Sequence, residues 1–485
     1  MGPRAAPRRG RSASTTAGRS TRSTCAAARA RSTTPAARTT TRAGSAWSPR
    51  TSSSSPGASP GPGRTTRSSA GTRGEGPGGP PARGDAGRRG PAGERRDRRT
   101  DAVILHLHHR YRTLGGEEAA IVALRGLTED ALGEETALLE RDSAAVGGRR
   151  AAAGLLRGGL DPDEVAREVR RTGARIVHAH NVHPTFGARA LRAARDAGAR
   201  VVLQLHNYRL VCAVGTCVRD GHDCHECHAS DTRPGLRHDC RGSRAESLVY
   251  AAGLAVQRRR LIAGADAVAV PSRAALGRLG TLGAGLPEAR THVLPHPVAA
   301  GPRVVPDPAG PAVVAGRLAP EKGTGTAIEA ARICGLPLVV ANAGPLEEEL
   351  RAAAADLPHV TFAGRLDRAG LDALRARASL ELVPSLAHET FGLAAAEAAL
   401  RGLPVVGSDV GALRELLPDE ARVPPGDAVA LADAWVRLAG DAAAGERVRL
   451  RAAALTDPDA VAERLRALYD AVAADRGPRA PGSGA

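Results

Sequence analysis

One segment of the chain places two cations around a turn between an apolar run and a helix. The run Ala312–Ala315 continues into the sequence GRLAPEKG at residues 316–323, where Arg317 and Lys322 lie five positions apart. Across such a turn, two basic side chains can converge on one anion at the start of the helix. Lys322 is also the only lysine in the chain, and its compact ammonium is not interchangeable with a planar guanidinium. The pattern predicts a phosphate-binding loop, against the alternative that one lysine persists by chance.

A second segment carries two carboxylates eight residues apart. Glu389 precedes Phe391 and Gly392 in a loop, whereas Glu397 falls in an otherwise apolar helix predicted over Leu393–Leu400. A carboxylate on an apolar helix costs stability unless it has partners. Hydroxyl groups of a sugar or a ribose are natural partners for carboxylate oxygens. The alternative is a pair of glutamates that cap the helix or satisfy the core.

Both segments lie in a chain that alternates between short apolar runs and helical stretches from residue 102 onward. Helices are predicted over Gly116–Leu132 and Asp161–Thr172, the second with Asp161 as N-cap and Pro162 as first helical residue. Short apolar runs of this kind are typical of buried parallel strands, and they are Ala102–Leu107, Arg175–His178, Arg200–Leu205, Asp266–Val270, Ala312–Ala315, Pro337–Ala341, His359–Phe362, Leu380–Val383 and Pro404–Gly407. The alternation predicts doubly wound parallel sheets.

Composition divides the chain into segments. A Pro- and Gly-rich linker at 299–311 separates an α/β domain over 101–298 from a second over 312–455. We expect two facing Rossmann-like sheets with a site in the cleft, because ligands bind beyond the carboxyl ends of parallel strands. An amphipathic closing helix over 456–474 and a disordered tail over 475–485 complete the prediction; the apolar stripe of that helix is Val461, Leu465, Leu468 and Val472.

The net charge of +17 comes entirely from the start of the chain. Residues 1–100 hold 21 of the 68 basic residues and four of the 51 acidic ones, so the remaining residues are neutral overall. This Arg-, Ser-, Gly- and Pro-rich segment lacks apolar periodicity and is predicted to be disordered. Three interpretations stay open: an upstream extension foreign to the native protein, a solvated tail, or a functional arm. A nucleic-acid-binding protein is the least favoured class, because the neutral body has few aromatic residues for base stacking.

Five sequence blocks together resemble retaining glycosyltransferases of family four, the group with the GT-B fold that uses nucleotide-diphosphate sugars. The resemblance spans residues 102–474 and is most specific in the second domain. One departure is Asn342-Ala343-Gly344, where the family more often has Gly-x-Gly. The blocks are GRLAPEKG (316–323), NAGPL (342–346), FAGRL (362–366), PSLAHETFGLAAAEA (384–398) and GLPVVGSDVG (402–411).

The resemblance implies roles for individual residues. Arg317 and Lys322 would hold the donor diphosphate, Glu389 the hydroxyls of the transferred sugar, and Glu397 the ribose. His206, at the end of a strand, matches a histidine beside that sugar. The implied catalytic residues are His206, Glu389, Arg317 and Lys322, and the implied donor-binding residues are Gly115, Gly116, Arg317, Lys322, Gly364, Arg365, Leu366, Glu389, Phe391, Gly392, Leu393 and Glu397.

Three further histidines precede His206, and we expect them to face the same cleft. They are His178, His180 and His183. A structural role is the alternative for each of them, because a single histidine at a strand end more often serves the core than a ligand.

The resemblance implies a hexosyltransferase with a UDP-, GDP- or ADP-type sugar donor and a glycan, lipid-linked or small-molecule acceptor. Preorganised positive charge on the departing diphosphate would lower the barrier. Arg317, Lys322 and the dipole of the helix that follows them would supply this charge, so no metal is expected in catalysis. Motifs do not encode the base, the sugar, the acceptor or the linkage. The alternatives are a nucleotide-sugar epimerase of the same fold and an inactive sugar-nucleotide binder.

Five of the seven cysteines cluster in an insertion at 212–240. Cys224 and Cys227 form a C-x-x-C pair, and a cytoplasmic setting disfavours disulfides. Such spacing suits tetrahedral zinc, with Cys212, Cys224, Cys227 and Cys240 as the candidate ligands. The insertion also resembles one found in polysaccharide-type members of the family. Reduced thiols or a redox pair, and an iron–sulfur cluster, are the alternatives to a structural zinc.

The location follows from what the chain lacks. It has no stretch of 18 apolar residues, so no segment is expected to span a bilayer, and we expect a cytoplasmic protein. The apolar run Leu248–Val256 leads into Arg258, Arg259 and Arg260. A basic amphipathic helix there would contact anionic lipid on the inner membrane face, and a solvated helix end is the alternative.

Overall fold

The computed structural model describes residues 103–111 and 115–474. The extension predicted over residues 1–100 and the tail predicted over 475–485 lie outside the described residues. The described chain forms two α/β lobes, each built on a six-stranded sheet.

The first lobe contains a fully parallel sheet with strand order β2-β1-β3-β4-β7-β8. Its strands are β1 (Ile104–Arg110), β2 (Thr136–Asp142), β3 (Ile176–Ala179), β4 (Arg200–Gln204), β7 (Ala267–Val270) and β8 (Thr291–Val293), and β5 (Val218–Arg219) pairs with β6 (His222–Asp223) in the cysteine-rich insertion. Its helices are α1 (Gly116–Leu127), α2 (Gly148–Arg157), α3 (Pro162–Thr172), α4 (Gly187–Asp196), α5 (Arg233–Arg237), α6 (Arg244–Gly264) and α7 (Arg273–Thr281).

The second lobe repeats the architecture with strand order β11-β10-β9-β12-β13-β14, again parallel throughout. Its strands are β9 (Ala312–Ala315), β10 (Leu338–Ala341), β11 (Val360–Gly364), β12 (Leu380–Val383), β13 (Val405–Ser408) and β14 (Arg422–Val423). Its helices are α8 (Thr324–Cys334), α9 (Glu347–Ala353), α10 (Arg368–Arg375), α11 (Leu393–Leu400), α12 (Leu413–Leu416), α13 (Ala428–Leu438) and α14 (Ala442–Thr456). The predicted fold class, two doubly wound parallel sheets, is confirmed.

The last helix, α15 (Pro458–Ala474), returns to the first lobe. Its apolar stripe, with Leu465 and Val472, packs against Ile104 of β1 and Val202 of β4. The periodicity predicts this helix and its buried stripe, but it does not reveal which lobe the stripe covers. The contact buries one face of the first sheet that would otherwise expose aliphatic side chains to water.

Local details differ from the sequence prediction in three places. The predicted helix Gly116–Leu132 ends as an α-helix at Leu127, and one wider π turn follows. Asp161 does precede α3, but its backbone is left-handed and its side chain bonds Arg150 instead of capping the helix. The strand β2 was not predicted, because its half-exposed edge position mixes polar and apolar residues.

The expectation for the basic end of α6 is wrong in one respect. Arg258 is buried and donates to the carbonyls of Gly283 and Ala284, so it is not part of a lipid-facing basic patch. Leu248 and Val256 on the same helix are exposed. No helix in the described part of the chain combines the length and apolar character that crossing a bilayer requires.

Candidate active site

A cleft of about 1260 Å³ lies where the carboxyl ends of both sheets meet. Its wall includes eleven of the twelve residues implied for donor binding, together with His206. Gly364 is the exception, and it lies at the end of β11 next to the lining residues Arg365 and Leu366. Residues far apart in the sequence thus share one cavity, as expected for parallel sheets that face each other.

The centre of the second-lobe wall is an ion pair. Lys322 Nζ donates to Glu389 Oε1 at 2.7 Å, and the Ser385 hydroxyl donates to the same oxygen at 2.6 Å. Burial by itself raises the pKa of the Glu389 carboxyl, but the Lys322 ammonium and these two hydrogen bonds outweigh burial and lower that pKa. Glu389 is therefore a carboxylate at neutral pH, held in place by two donors.

The turn before α8 places both cations. Arg317 follows β9, and its guanidinium bonds Glu321 within the same turn. Gly323 ends the turn with φ at +64°, and a Cβ there would lie 1.9 Å from the carbonyl oxygen of Pro384. Only glycine fits this position, because the loop that carries Glu389 passes directly over it.

Glu397 has a protein partner that the sequence did not reveal. Arg375 Nη1 lies 3.0 Å from Glu397 Oε2, and the same guanidinium makes two bonds of 2.7 and 2.9 Å to Glu381. Arg375 and Glu381 are fully buried, whereas the Glu397 side chain is 32% exposed and lines the cleft. Glu381 is a charged residue inside the apolar run of β12, and this unusual position indicates in the sequence that a buried cation must lie nearby.

The first lobe closes over the second at the glycine loop. Gly116 lies against Leu393, and a Cβ on Gly116 would meet Leu393 Cδ1 at 2.8 Å. Nearby, Ser272 Oγ donates to the carbonyl of Thr390, and Thr390 Oγ1 donates to the carbonyl of His206. The loop from Ser385 to Gly392 is thereby bonded to both lobes.

His206 lines the cleft, but the expectation that the three preceding histidines face the cleft is wrong. His178, His180 and His183 are buried away from the cavity wall. His296, which no sequence motif singles out, follows β8 and lines the cleft instead. Its ring stacks on His206 with ring centroids 5.2 Å apart and makes a T-shaped contact with Phe391. Its position between two prolines after a strand was a weak signal.

The cysteine insertion forms a separate small cavity of about 30 Å³, which all five of its cysteines line. A hydrogen bond with the Cys217 thiol lowers the pKa of the Cys212 thiol to about 6. Among the residues that the structure describes, His106, His178 and His180 form a group whose potential metal-ligand atoms all lie within 4.8 Å of one another. In a tetrahedral zinc site the sulfur atoms lie about 3.8 Å apart. The sulfurs of the four proposed zinc ligands are not this close, because no three of them lie within 4.8 Å of one another.

Known proteins share parts of this chain. Residues 311–441, which span most of the second lobe, match the family model described as Glycosyl transferases group 1. A phosphatidyl-myo-inositol mannosyltransferase of Mycobacterium leprae is 39% identical over 134 residues, which are 26% of this chain and 36% of that protein. A glycogen synthase of Mycobacterium tuberculosis is 35% identical over 189 residues, which are 36% and 45% of the two chains. The chain spans less than half the length of these relatives.

Solved structures share the whole two-lobed fold. A sucrose-phosphate synthase of Thermosynechococcus elongatus superimposes with a TM-score of 0.57 at 19% identity, covering 76% of this chain and 99% of that one. The Anabaena protein HepE, solved in complex with UDP and glucose, gives a TM-score of 0.52 at 17% identity over the same shares. The chain therefore shares the two-lobed fold of these structures, and its second lobe matches the family Glycosyl transferases group 1.

Proposed function

We propose that this chain is a retaining glycosyltransferase that moves a hexose-type sugar from a nucleotide-diphosphate sugar to a hydroxyl group of a glycan, lipid-linked or small-molecule acceptor. The observation that carries the proposal is the meeting of two cations and two carboxylates, Arg317, Lys322, Glu389 and Glu397, on one wall of the interlobe cleft. The relatives named for sugar transfer, and the neighbour solved with UDP and glucose, support a nucleotide-sugar donor.

The charges account for the chemistry. When the anomeric C–O bond breaks, negative charge builds up on the diphosphate, and fixed positive groups stabilise it without reorganisation. The Lys322 ammonium has three N–H groups, and one of them donates a hydrogen bond to Glu389. The other two can donate hydrogen bonds to phosphate oxygens. Arg317 and the start of α8 lie on the same turn. These groups supply charge that a divalent metal supplies in other transferases, and we propose that catalysis here runs without one.

The two carboxylates have distinct places in this proposal. Glu389, oriented by Lys322 and Ser385, accepts hydrogen bonds from hydroxyls of the transferred sugar. Glu397, held through one oxygen by Arg375, keeps its other oxygen for the ribose. Retention follows from attack by the acceptor hydroxyl on the face that the diphosphate leaves. A bond forms between the acceptor oxygen and the anomeric carbon, and the departing phosphate takes the hydroxyl proton.

A donor screen tests the function. We expect the full chain to hydrolyse or transfer from at least one of a panel of UDP-, GDP- and ADP-sugars, measured by release of the nucleoside diphosphate. As a matched control, Arg332→Ala removes an arginine from an ion pair on the outer face of α8 and should keep the rate within about twofold, as surface substitutions do. Absence of turnover with every donor, including in the presence of candidate acceptors, would contradict the proposal.

A structural zinc in the cysteine insertion stays a proposal of its own. Because the sulfurs are not at zinc-ligand spacing, binding would require their side chains to move together. If zinc binds, metal analysis of the purified chain should give one zinc per chain, lost in Cys227→Ser and kept in Cys334→Ser, whose cysteine lies in the second lobe. Protein without zinc or iron would favour reduced thiols. A cytoplasmic location, with peripheral contact to the inner membrane face, is likewise proposed.

A further inference from the structure

We propose that Arg209 binds an oxyanion of the acceptor, a phosphate or a carboxylate, so that the chain glycosylates anionic acceptors in preference to neutral ones. This inference rests on the proposed function, because it names the chemical class of the substrate that receives the sugar. Arg209 lies on the first-lobe wall of the cleft, three residues after His206.

The cleft has room for a second substrate beside the donor. Its volume of about 1260 Å³ exceeds the roughly 300–1000 Å³ of pockets that hold one small molecule. The two cations and two carboxylates assigned to the donor lie on the second-lobe wall. The first-lobe wall continues past His206 along the loop 207–216 and the first turns of α2 and α6. We therefore expect the acceptor to bind along this wall.

The loop after His206 holds the Arg209 side chain in place. Its guanidinium carbon lies 4.4 Å from the centroid of the Tyr111 ring, over which it stacks. Arg209 Nη2 donates to the carbonyl of Val214 at 3.1 Å, and the backbone N–H of Arg209 donates to Asn207 Oδ1 at 2.9 Å. The guanidinium plane is therefore fixed through one face and one edge.

Arg209 also has donors that the protein does not use. Its Nε is enclosed without a hydrogen-bond partner. Its Nη1 likewise has no partner among the residues that the structure describes, but Nη1 is not enclosed, and the side chain lines the cleft. No carboxylate of the described residues forms an ion pair with Arg209. Because a desolvated cation without a counter-ion costs free energy, an anion that enters the cleft would offset this cost.

The three glutamates on the first-lobe wall all have other partners. These pairs are Glu117 with the amides of Asn181 and Asn207, Glu118 with the backbone N–H of Gly115, and Glu246 with Arg241. The wall holds as many glutamates as arginines, so it has no excess of positive charge by count. The pairing nevertheless leaves Arg209 without a carboxylate of its own.

A second arginine on this wall is also unpaired. Arg149 lies in the first turn of α2, which begins after Gly147 and has no side-chain cap. The start of a helix has partial positive charge and favours acidic residues, so an arginine there is unfavourable without an anion nearby. Arg149 has no ion pair within the described part of the chain, whereas Arg150 bonds Asp161. Arg149 therefore adds unpaired positive charge to the same wall.

A guanidinium suits the proposed ligand because its N–H groups lie in one plane and match the spacing of carboxylate and phosphate oxygens. In the proposed complex, Arg209 Nη1 donates to an oxygen of the acceptor oxyanion, and the hydroxyl that receives the sugar lies toward His206. A neutral acceptor leaves Arg209 without a counter-ion. Arg209 thus contributes to acceptor binding and takes no part in cleavage of the donor.

The first test measures acceptor preference with the best donor from the screen. Glucose is compared with glucose 6-phosphate, and galactose with galacturonate. We expect kcat/KM to be at least about tenfold higher for the anionic member of a pair, the scale of one hydrogen bond to a charged group. This ratio should fall about tenfold or more in Arg209→Met and less in Arg209→Lys, which keeps the charge. Transfer to neutral acceptors that equals or exceeds transfer to anionic ones would overturn the inference.

A lipid-linked acceptor distinguishes the source of the phosphate. Glucose linked to a polyprenyl diphosphate, solubilised in detergent, carries the same anionic group on a lipid. Transfer to this acceptor but not to glucose 6-phosphate, with the same dependence on Arg209, would identify a lipid-linked phosphate as the ligand. Transfer to both would identify the phosphate group itself as what Arg209 recognises.

Donor hydrolysis without acceptor separates acceptor binding from donor binding. We expect Arg209→Met to lower transfer to the anionic acceptor at least about tenfold more than it lowers hydrolysis. Equal losses in both reactions would place Arg209 in the donor site and overturn the inference, while the proposed function would stand. Arg141→Met is the matched control, because Arg141 also stacks on an aromatic ring, that of Phe186, and bonds two loop carbonyls, yet does not line the cleft. It should lower the unfolding temperature and keep the acceptor preference.

The last test needs no turnover. In Arg317→Ala with Lys322→Ala the two donor cations are absent, so calorimetric titration with inorganic phosphate reports on other anion sites. We expect this variant to bind phosphate, about tenfold or more weakly once Arg209→Met is added, and with unchanged affinity once Arg141→Met is added. Should the double variant not fold, the same titration is made in wild type saturated with a nucleoside diphosphate. Absence of phosphate binding, or binding independent of Arg209, would overturn the inference. If no nucleotide sugar is turned over, the proposed function fails, and this titration still decides whether Arg209 forms an anion site.

Discussion

Lys322→Ala is expected to lower kcat/KM for the nucleotide-sugar donor by about 100- to 1000-fold, the loss seen when one preorganised group is removed from developing negative charge. Two effects combine in this variant. The departing diphosphate loses an ammonium, and Glu389, whose pKa Lys322 helps to lower, is left nearly buried without its cation. The measurement is the initial rate of nucleoside diphosphate release with the best donor from the screen.

A double substitution separates these two effects. In Lys322→Ala with Glu389→Gln, the unpaired carboxylate is gone, so any rate lost through it should return. We expect the double variant to stay at least about 100-fold slower than Glu389→Gln alone, because the phosphate ligand is still missing. Lys322→Arg should be intermediate, since guanidinium keeps the charge but not the compact geometry. Wild-type rates in Lys322→Ala would refute the assigned role.

Arg375→Met is expected to destabilise the protein by about 3–5 kcal/mol, the range for removing one partner of a buried ion pair. The guanidinium makes two bonds to Glu381 inside the second-lobe core and one to Glu397 at the cleft. Without it, the fully buried Glu381 carboxylate loses the cation that bonds both of its oxygens. Urea denaturation followed by circular dichroism measures the change in unfolding free energy.

The compensating variant identifies the cause. Arg375→Met with Glu381→Leu removes both buried charges and should recover most of the lost stability, since an apolar pair of similar volume often replaces a buried ion pair at little cost. The exposed pair Arg447–Glu420 is the matched surface control, and Arg447→Ala should cost less than about 1 kcal/mol. A stability loss that persists in the double variant would mean that Arg375 acts through packing alone. The double variant should also raise the KM for the donor, because Glu397 loses its anchor.

Local sequence patterns were sufficient to predict the architecture. Apolar runs of four or five residues between amphipathic helices require buried parallel strands, and nine of the strands lie within two or three residues of the predicted ranges. The cation loop before α8 could be located in the same way, because Arg317, Lys322 and Gly323 lie within one stretch of seven residues. Edge strands such as β2 escaped prediction, because an edge strand buries too little of each face to require a clear apolar alternation.

The amino-acid sequence by itself indicated two sheets, the loop that carries the cations and the two carboxylates on the loop and helix beside it, since each of these leaves a pattern within a short stretch of residues. Only the tertiary structure decided the partners: that Lys322 pairs with Glu389, that Arg375 holds Glu397, and that α15 covers the first sheet. It also decided which histidines meet the cleft: His206 and His296 line it, whereas His178, His180 and His183 are buried away from its wall. Partner choice depends on distances between residues far apart in the chain, and these distances exist only once the sheets have formed.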